Sequence, residues 1–466
     1  MTTHQPYSRT GKPLKRIHLA AHFPGVNNTT VWSDPKSRSQ IEFASFRALA
    51  ETAERGTFDF FFLAEGLRLR EARGRIHDLD VVGRPESLTV LSALAAVTTH
   101  LGLAGTVNST FNEPYELARR IGTLDHLSGG RAAWNVVTSF DAFTGENFRR
   151  GGYLPKEQRY VRASESVRLV KRLWQSWADD DLVQDRQSGI YSRSGSGQFA
   201  ETTTQFSIAG RFGLPSSPQG SPVIIQAGDS PQGRDFAAEA ADVIFSRHGA
   251  FDDGQDFYRD VKGRLGAYGR RRDSLKIFPA VTVVVGDTDI EAEEKALHIR
   301  RQQVSGATAL AAAEQIWGID LADRDPDGPL PQEDPVIGSR VVQGRASLTT
   351  DPRPVVDKWR ALSATNGWSL RETVLHQQAR QSFVGSPTTV AEALNRHVQQ
   401  DAADGFVLVP HLTPTGLDDV VERVVPILRE WGVFRSEYSA TTLRGHLGLQ
   451  RPSRAGRAAG DTSGAA

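Results

Sequence analysis

The chain has 466 residues, carries 55 basic and 55 acidic side chains for a formal net charge of zero, and contains no cysteine. That balance offers no global field to draw in nucleic acid or an anionic membrane, and the missing thiols exclude disulfides, thiolate metal sites and a cysteine nucleophile. No apolar run approaches the ~20 residues that cross a bilayer, and the start "MTTHQPYSRTGKPLKR" lacks the apolar middle of a signal peptide, so a cytoplasmic protein with a small-molecule partner is expected.

In chain order, short β-rich runs alternate with amphipathic helical stretches. A strand is expected at Arg16 to Phe23 and a helix near Gln40 to Arg55; then a strand at Phe58 to Glu65 and a helix near Glu86 to Thr99. The strand at Leu101 to Val107 leads to the best-signalled helix, in which Pro114 suits the first turn, Leu117, Ile121 and Leu124 form one apolar face, and Gly129 ends it. Strands at Arg131 to Ser139, Pro222 to Gly228 and Asp242 to Arg247 are followed by helices near Lys156 to Trp177, Gln232 to Ala241 and Gly254 to Tyr268. Last come strands at Lys276 to Gly286 and Gly405 to His411, with helices near Thr288 to Ala312, Thr388 to Asp401 and Leu417 to Trp431.

Eight such units predict an α/β fold, a (β/α)8 TIM barrel forming a single domain over residues 1–450, with a doubly wound open sheet as the alternative. Two stretches interrupt the rhythm: 179–220, rich in Ser, Gly and Thr, and 313–352, rich in Asp, Pro and Gly. Both are expected as insertions over the barrel mouth, and residues 451–466 as a disordered tail.

In such a barrel the site forms where the strands end. The residues there are small and polar: His22, Glu65, Thr106 with Asn108, Asn135 with Thr138 and Ser139, Gly228 to Ser230, Arg247 with His248, and His411. The stretch "VIIQAGDSPQGRDFAAEAADVIFSR" passes from a dry strand through Gly228, Asp229 and Ser230 into an Ala-rich helix. Free backbone N–H groups, a hydroxyl and the positive end of a helix dipole make such a break an anion cradle, to which Arg234 could add charge-assisted bonds. An N-cap role for Asp229 or Ser230 explains the same residues.

"GSGQFA" at 195–200 fits G-x-G-x-x-A, but neither a strand before it nor a helix after it supports a dinucleotide site. Asp59, set among phenylalanines, requires a partner; a backbone N–H or a neighbouring polar side chain is expected ahead of a ligand. Asn135 and Ser139 alternate with Val136 and Val137 so that both can face inward. The twelve histidines show no ligand spacing, so no metal site is expected.

Together "GTVNSTFNEPYELARRIGTLDHLSGGRAAWNVVTS", "ENFRRGGYLPKEQRY", "SPQGSPVIIQAGDSPQGRDFAAEAADVIFSRH", "VGSPTTVAEAL" and "DGFVLVPHLTP" resemble the flavin-dependent monooxygenases of the nitrilotriacetate and dibenzothiophene-sulfone type, a branch of the bacterial-luciferase-like superfamily. The resemblance runs from about Lys15 to Leu447. It implies a barrel that takes reduced FMN from a separate flavin reductase, reacts it with oxygen to a flavin peroxide and oxygenates a small organic substrate, in a dimer or tetramer. Gly228, Asp229 and Ser230 would meet the FMN phosphate with Tyr160 opposite; Asp59, Thr106, Asn135 and Ser139 would lie along the ring and ribityl chain; His22 would serve catalysis at the reactive face. Many relatives carry a small residue in place of Asp229, so its carboxylate is expected to turn away from the phosphate and cap the helix. A deazaflavin-dependent hydride-transfer enzyme, a non-catalytic flavin-binding barrel and a sugar-phosphate isomerase remain as alternatives.

Overall fold

The computed structural model describes residues 14–69, 71–72, 75–76, 82–139, 142–148, 155–336, 342–343, 351–378 and 382–452. The eight apolar runs form parallel strands: β1 (His18–Phe23), β2 (Phe60–Leu63), β3 (Gly102–Asn108), β4 (Ala132–Val137), β5 (Val223–Gln226), β6 (Val243–Ser246), β7 (Lys276–Val281) and β8 (Gly405–Leu408). Each pairs with its sequence neighbour, and β8 closes onto β1 with His18 opposite Gly405. Both faces of the strands are apolar because both are covered. Leu19, Phe61, Leu103, Trp134, Ile224 and Phe406 pack outward under the helices, whereas Ala20, Phe60, Ala104, Ala133, Val223 and Phe278 fill the interior. Phe60 lies 5.6 Å from Phe278 and 6.1 Å from Phe245, ring to ring, so the lumen is a packed core.

The barrel helices are α1 (Phe43–Arg55), α2 (Ser87–Ala95), α3 (Pro114–Leu127), α4 (Lys156–Trp174), α5 (Pro231–Ala240) and α6 (Phe251–Arg264), with more after β7. In α3 the expected face of Leu117, Ile121 and Leu124 is buried, and Gly129 follows with φ of 67°. The helix expected over Thr288 to Ala312 is two, α7 (Asp289–Gln303) and α8 (Gly306–Trp317), because Ser305 accepts a hydrogen bond from the Thr308 N–H and starts a new one. The strand expected over Lys276 to Gly286 also divides: Val283–Val285 leaves the barrel and pairs with Phe383–Gly385.

The two excursions differ in position. Residues 179–220 join the end of α4 to the start of β5, so they emerge at the amino end of the strands. They form two hairpins, Leu182–Asp185 with Ile190–Ser192 and Gln198–Thr202 with Ser207–Arg211. The second lies along the outside of α4: Glu201 pairs with Arg168 and Arg172, Thr203 and Thr204 donate to Glu165, and Arg162 sits 4.3 Å over Phe206. This excursion sheathes the flank of the barrel, which corrects the expectation that it covers the mouth.

The other leaves the carboxyl end of β7 and is wider than expected. It contains α7, α8, α9 (Arg353–Asn366) and α10 (Leu370–Gln378), which return to the barrel through α11 (Pro387–Gln399). It has its own apolar core around Trp317, Trp359, Leu370 and Val374. Ala296 and Ile299 of α7 pack on Val31 in the loop after β1, and Val342–Gln343 pairs with Glu71–Ala72 in the loop after β2. It therefore stands on the mouth side.

The opposite end is closed by the last described segment, in which Leu443, Leu447 and Leu449 enter the interior cluster. Residues from 453 on, most of the expected tail, lie outside the described residues. Among the described residues no helix is long and apolar enough to cross a membrane.

Candidate functional site

At the end of β5 the chain turns sharply into α5. Ser230 is the N-cap: its Oγ accepts from the Gly233 N–H at 3.1 Å, and Pro231 occupies the first helical position. A Cβ on Gly233 would lie 2.9 to 3.1 Å from the Gly228 backbone, and one on Gly228 would collide with the Gln226 amide at 2.1 Å. Two glycines thus let strand end and first helical turn touch. Across this corner α4 delivers Tyr160, whose hydroxyl is 3.3 Å from Ser230 Oγ and whose ring meets Phe236 edge-on. Residues 70 positions apart in sequence converge on one helix N-terminus.

Asp229 turns away from that corner but does not cap the helix. Its Oδ1 accepts from His248 Nε2 at 2.8 Å and from Arg234 Nη2 at 3.1 Å, and Arg247 Nη2 stands 3.5 Å from Oδ2. Burial opposes its ionisation, yet the hydrogen bonds and charges of His248 and Arg234 hold the carboxyl below its ordinary range. Arg234 is committed to this network: it also bonds Asp260 at 2.9 Å and the Asp229 carbonyl, and stacks 4.7 Å over Phe257. The sequence reading that had Arg234 reaching over the corner is corrected.

The interior rim next to the corner is polar. Thr106 of β3 and Asn135 of β4 are register partners, both buried. Asn135 Nδ2 donates to Thr106 Oγ1 at 2.9 Å, while Asn135 Oδ1 is buried with no partner among the described residues. Ser139 is half-buried two residues past β4. On the other side, β1 brings His22 onto Phe62, ring centroids 5.0 Å apart, and Phe62 meets Phe245 edge-on at 4.8 Å. Burial, assisted by the positive charge of Arg84, pushes the His22 pKa down from 6.5 to about 3.

Asp59 is not brought to this rim. It precedes the first residue of β2, at the amino end of the barrel, where its carboxylate bonds His18 Nδ1 at 3.0 Å, the Leu19 N–H at 2.9 Å and Arg435. Burial alone would push its pKa up, but Arg435 and His18 hold it well below the usual carboxylate range. The partner required by its apolar surroundings comes from β1 and from the chain's far end, which corrects its placement along the flavin.

Two mouth groups outrank the sequence reading. Glu65 accepts from the backbone and side chain of Asn108, each at 3.2 Å, and burial pushes its carboxyl up to about 7. Arg84 donates to the Pro24 carbonyl at 3.1 and 3.2 Å. Glu65 was visible as a strand-end carboxylate; nothing near Arg84 in the sequence marks it. His411 is half-buried, its pKa pushed down to about 4 by burial and Lys295.

A closed parallel barrel whose polar, partly unsatisfied side chains gather at the carboxyl ends of its strands has the architecture of a (β/α)8 enzyme. Residues 25–405 match the luciferase-like monooxygenase family, and the chain belongs to that family. It is 36% identical over 429 residues to nitrilotriacetate monooxygenase component A of Aminobacter aminovorans, covering 90% of this chain and 92% of that one. It is 35% identical over 445 residues to N-acetyl-S-(2-succino)cysteine monooxygenase of Bacillus subtilis, covering 94% and 98%. Among solved structures, DmoA from Hyphomicrobium sulfonivorans superposes with a TM-score of 0.78 at 30% identity, over 93% and 92% of the two chains. The chain is thus an oxidoreductase of the flavin-dependent monooxygenase class.

Proposed function

We propose that this protein binds reduced FMN, delivered by a separate NAD(P)H:flavin reductase, and uses oxygen to oxygenate a small organic substrate. The observation that carries the reading is the meeting of the Tyr160 and Ser230 hydroxyls at the amino end of α5. Ser230 Oγ is an acceptor toward Gly233, so it keeps its own hydrogen; two hydroxyls sharing one mutual bond leave at least one O–H to donate. With the helix N-terminus beside them, these donors suit a phosphate monoester.

The rim fits the other end of the same molecule. Thr106 Oγ1 accepts from Asn135 and retains its O–H, while Asn135 Oδ1 lacks a donor among the described residues. That adjacent donor and acceptor match the N–H and C=O groups of an isoalloxazine edge, and an unpaired buried amide oxygen costs about 1 to 3 kcal/mol unless something fills it. Ser139 would stand beside the ribityl chain, and Gly228 keeps the backbone close to the phosphate. Asp229 would act from behind, holding the turn through His248 and Arg234. When bound, reduced FMN supplies the electrons that activate oxygen. The chain's own part is to orient it, to present His22 and the Phe62 and Phe245 rings toward the reactants, and to shield the mouth from water with the excursion after β7. A dimer or tetramer is the assembly in which we expect this to occur.

The test is anaerobic titration with reduced FMN and reduced riboflavin, which differ by the phosphate. The wild-type protein should prefer FMN, and Ser230→Ala and Tyr160→Phe should each erode that preference. Equal affinity for the two flavins in the wild type would remove the phosphate from this corner. Oxygen uptake with NADH and a reductase then reports the enzyme function.

A further inference from the structure

His22 and Phe62 are register partners on β1 and β2, and His22 Nδ1 lies 3.2 Å from the Phe62 carbonyl oxygen. A carbonyl can only accept, so Nδ1 carries the hydrogen. In a neutral imidazole this leaves Nε2 bare, with its lone pair available. The surroundings favour the neutral form. The ring is buried against Phe62, and among the described residues the charged group acting on it is Arg84, a cation, held near the end of β1 by the Pro24 carbonyl. Burial and Arg84 oppose the imidazolium in the same direction. Such a histidine has no proton to give at ordinary pH.

We propose that His22 is the hydrogen-bond acceptor of the mouth: an Nδ1–H imidazole, fixed by the Phe62 carbonyl, that offers a bare Nε2 to an O–H or N–H of a bound reactant and does not supply the reaction's proton. This refines the role given to His22 by the resemblance, and it rests on the proposed function only for what the donor is. A donor could come from the reduced flavin or from the organic substrate; both present the same chemistry to Nε2. The enzyme would therefore take its protons from solvent or from another group, and its pH profile would lack a step belonging to His22.

The test is nitrogen NMR of the full chain labelled with 15N-histidine, with the His22 signals assigned by their loss in His22→Gln, or in His22→Asn if the first variant does not fold. The expected result, in the protein without flavin, is a protonated Nδ1 and a bare Nε2 that do not titrate between about pH 5 and about pH 8. An Nε2–H tautomer, or a midpoint near the ordinary value of 6.5, would overturn the proposal. Adding reduced FMN anaerobically then separates the sources. Movement of the Nε2 signal names the flavin as donor, and a still signal in flavin-saturated protein assigns the donor to the substrate side. Because the tautomer is read without flavin, failure of FMN to bind would sink the proposed function and leave this result standing.

Discussion

The two ends of the barrel treat polar side chains in opposite ways. At the amino end, Asp59, Asp242 and Asp404 each stand just before a strand, β2, β6 and β8. Each accepts from the N–H of the second residue of the preceding odd-numbered strand: Leu19, Ile224 and Ile277, at 2.9 Å in every case. Each backbone N–H returns the bond to that same residue's carbonyl. A cation completes each unit, Arg435, Arg444 and Lys262 respectively. This is one structural lock used three times. At the mouth, by contrast, Asn135 Oδ1 is unpaired among the described residues, two hydroxyls share one bond, and His22 is held through Nδ1 on a backbone carbonyl. A repeated, backbone-anchored ion-pair lock marks the end that holds the fold, and a rim of uncharged polar groups that includes an unpaired amide oxygen marks the end prepared for a ligand.

The sharpest way to break this contrast is Asp59→Ala. It leaves Arg435 buried without its charge partner, and removing one member of a buried pair costs about 3 to 5 kcal/mol. Urea unfolding should show that loss, while the folded fraction keeps its affinity for reduced FMN. Normal stability with lost flavin affinity would return Asp59 to the cofactor site. The pH dependence has a defined sign as well. Asp59 is held below its ordinary range, so its contribution is present above that range and is lost as pH falls below it, down through the depressed folded value. Acid unfolding in Arg435→Gln should therefore lose part of its steepness below about pH 4.

At the mouth, under the proposed function, Ser230→Ala and Tyr160→Phe should each remove a hydrogen bond to the phosphate, worth about 1.5 to 3 kcal/mol or roughly tenfold and more in affinity. Ser230→Ala should also cost about 1 kcal/mol of stability through the lost cap, and Tyr160→Phe little. Affinity changes that track stability changes would reduce both residues to scaffold. Glu65 supplies a test of the mouth by pH. Its folded pKa is raised from 4.5 to about 7, so the folded state holds the extra proton and stability declines as pH rises across that interval. Glu65→Gln should flatten the decline, as read from melting temperature against pH.

The barrel was legible because the eight strands are mostly apolar runs of strand length, with breaks at Gly, Pro or Asp. Periodicity did not reveal the restart at Ser305, since α7 and α8 follow each other with almost no loop. Nor did it tell which end of a strand a polar residue occupies with respect to partners brought from elsewhere. Asp59 was placed at the site by the resemblance alone; its apolar surroundings called for a backbone or polar partner, and Arg435, which helps supply it, lies 376 positions away. A local signal did exist: "FDFFF", "ADVIF" and "ADGFV" place an Asp at the same point of three strands. Ser230 was visible as a cap or a cradle and serves as the cap while facing Tyr160; Tyr160 itself came only from the resemblance, because nothing in α4 singles it out. The position of residues 179–220 was misjudged from composition, although their place between a helix and the following strand already assigned them to the amino end.

The most direct test of the central claim is a crystal structure of the FMN complex. The account predicts the phosphate within hydrogen-bond reach of both Ser230 Oγ and Tyr160 Oη at the start of α5, with Asn135 Oδ1 paired to the ring and Asp59 unchanged beside Arg435. A phosphate bound elsewhere, with the Tyr160 and Ser230 hydroxyls still facing only each other, would contradict it.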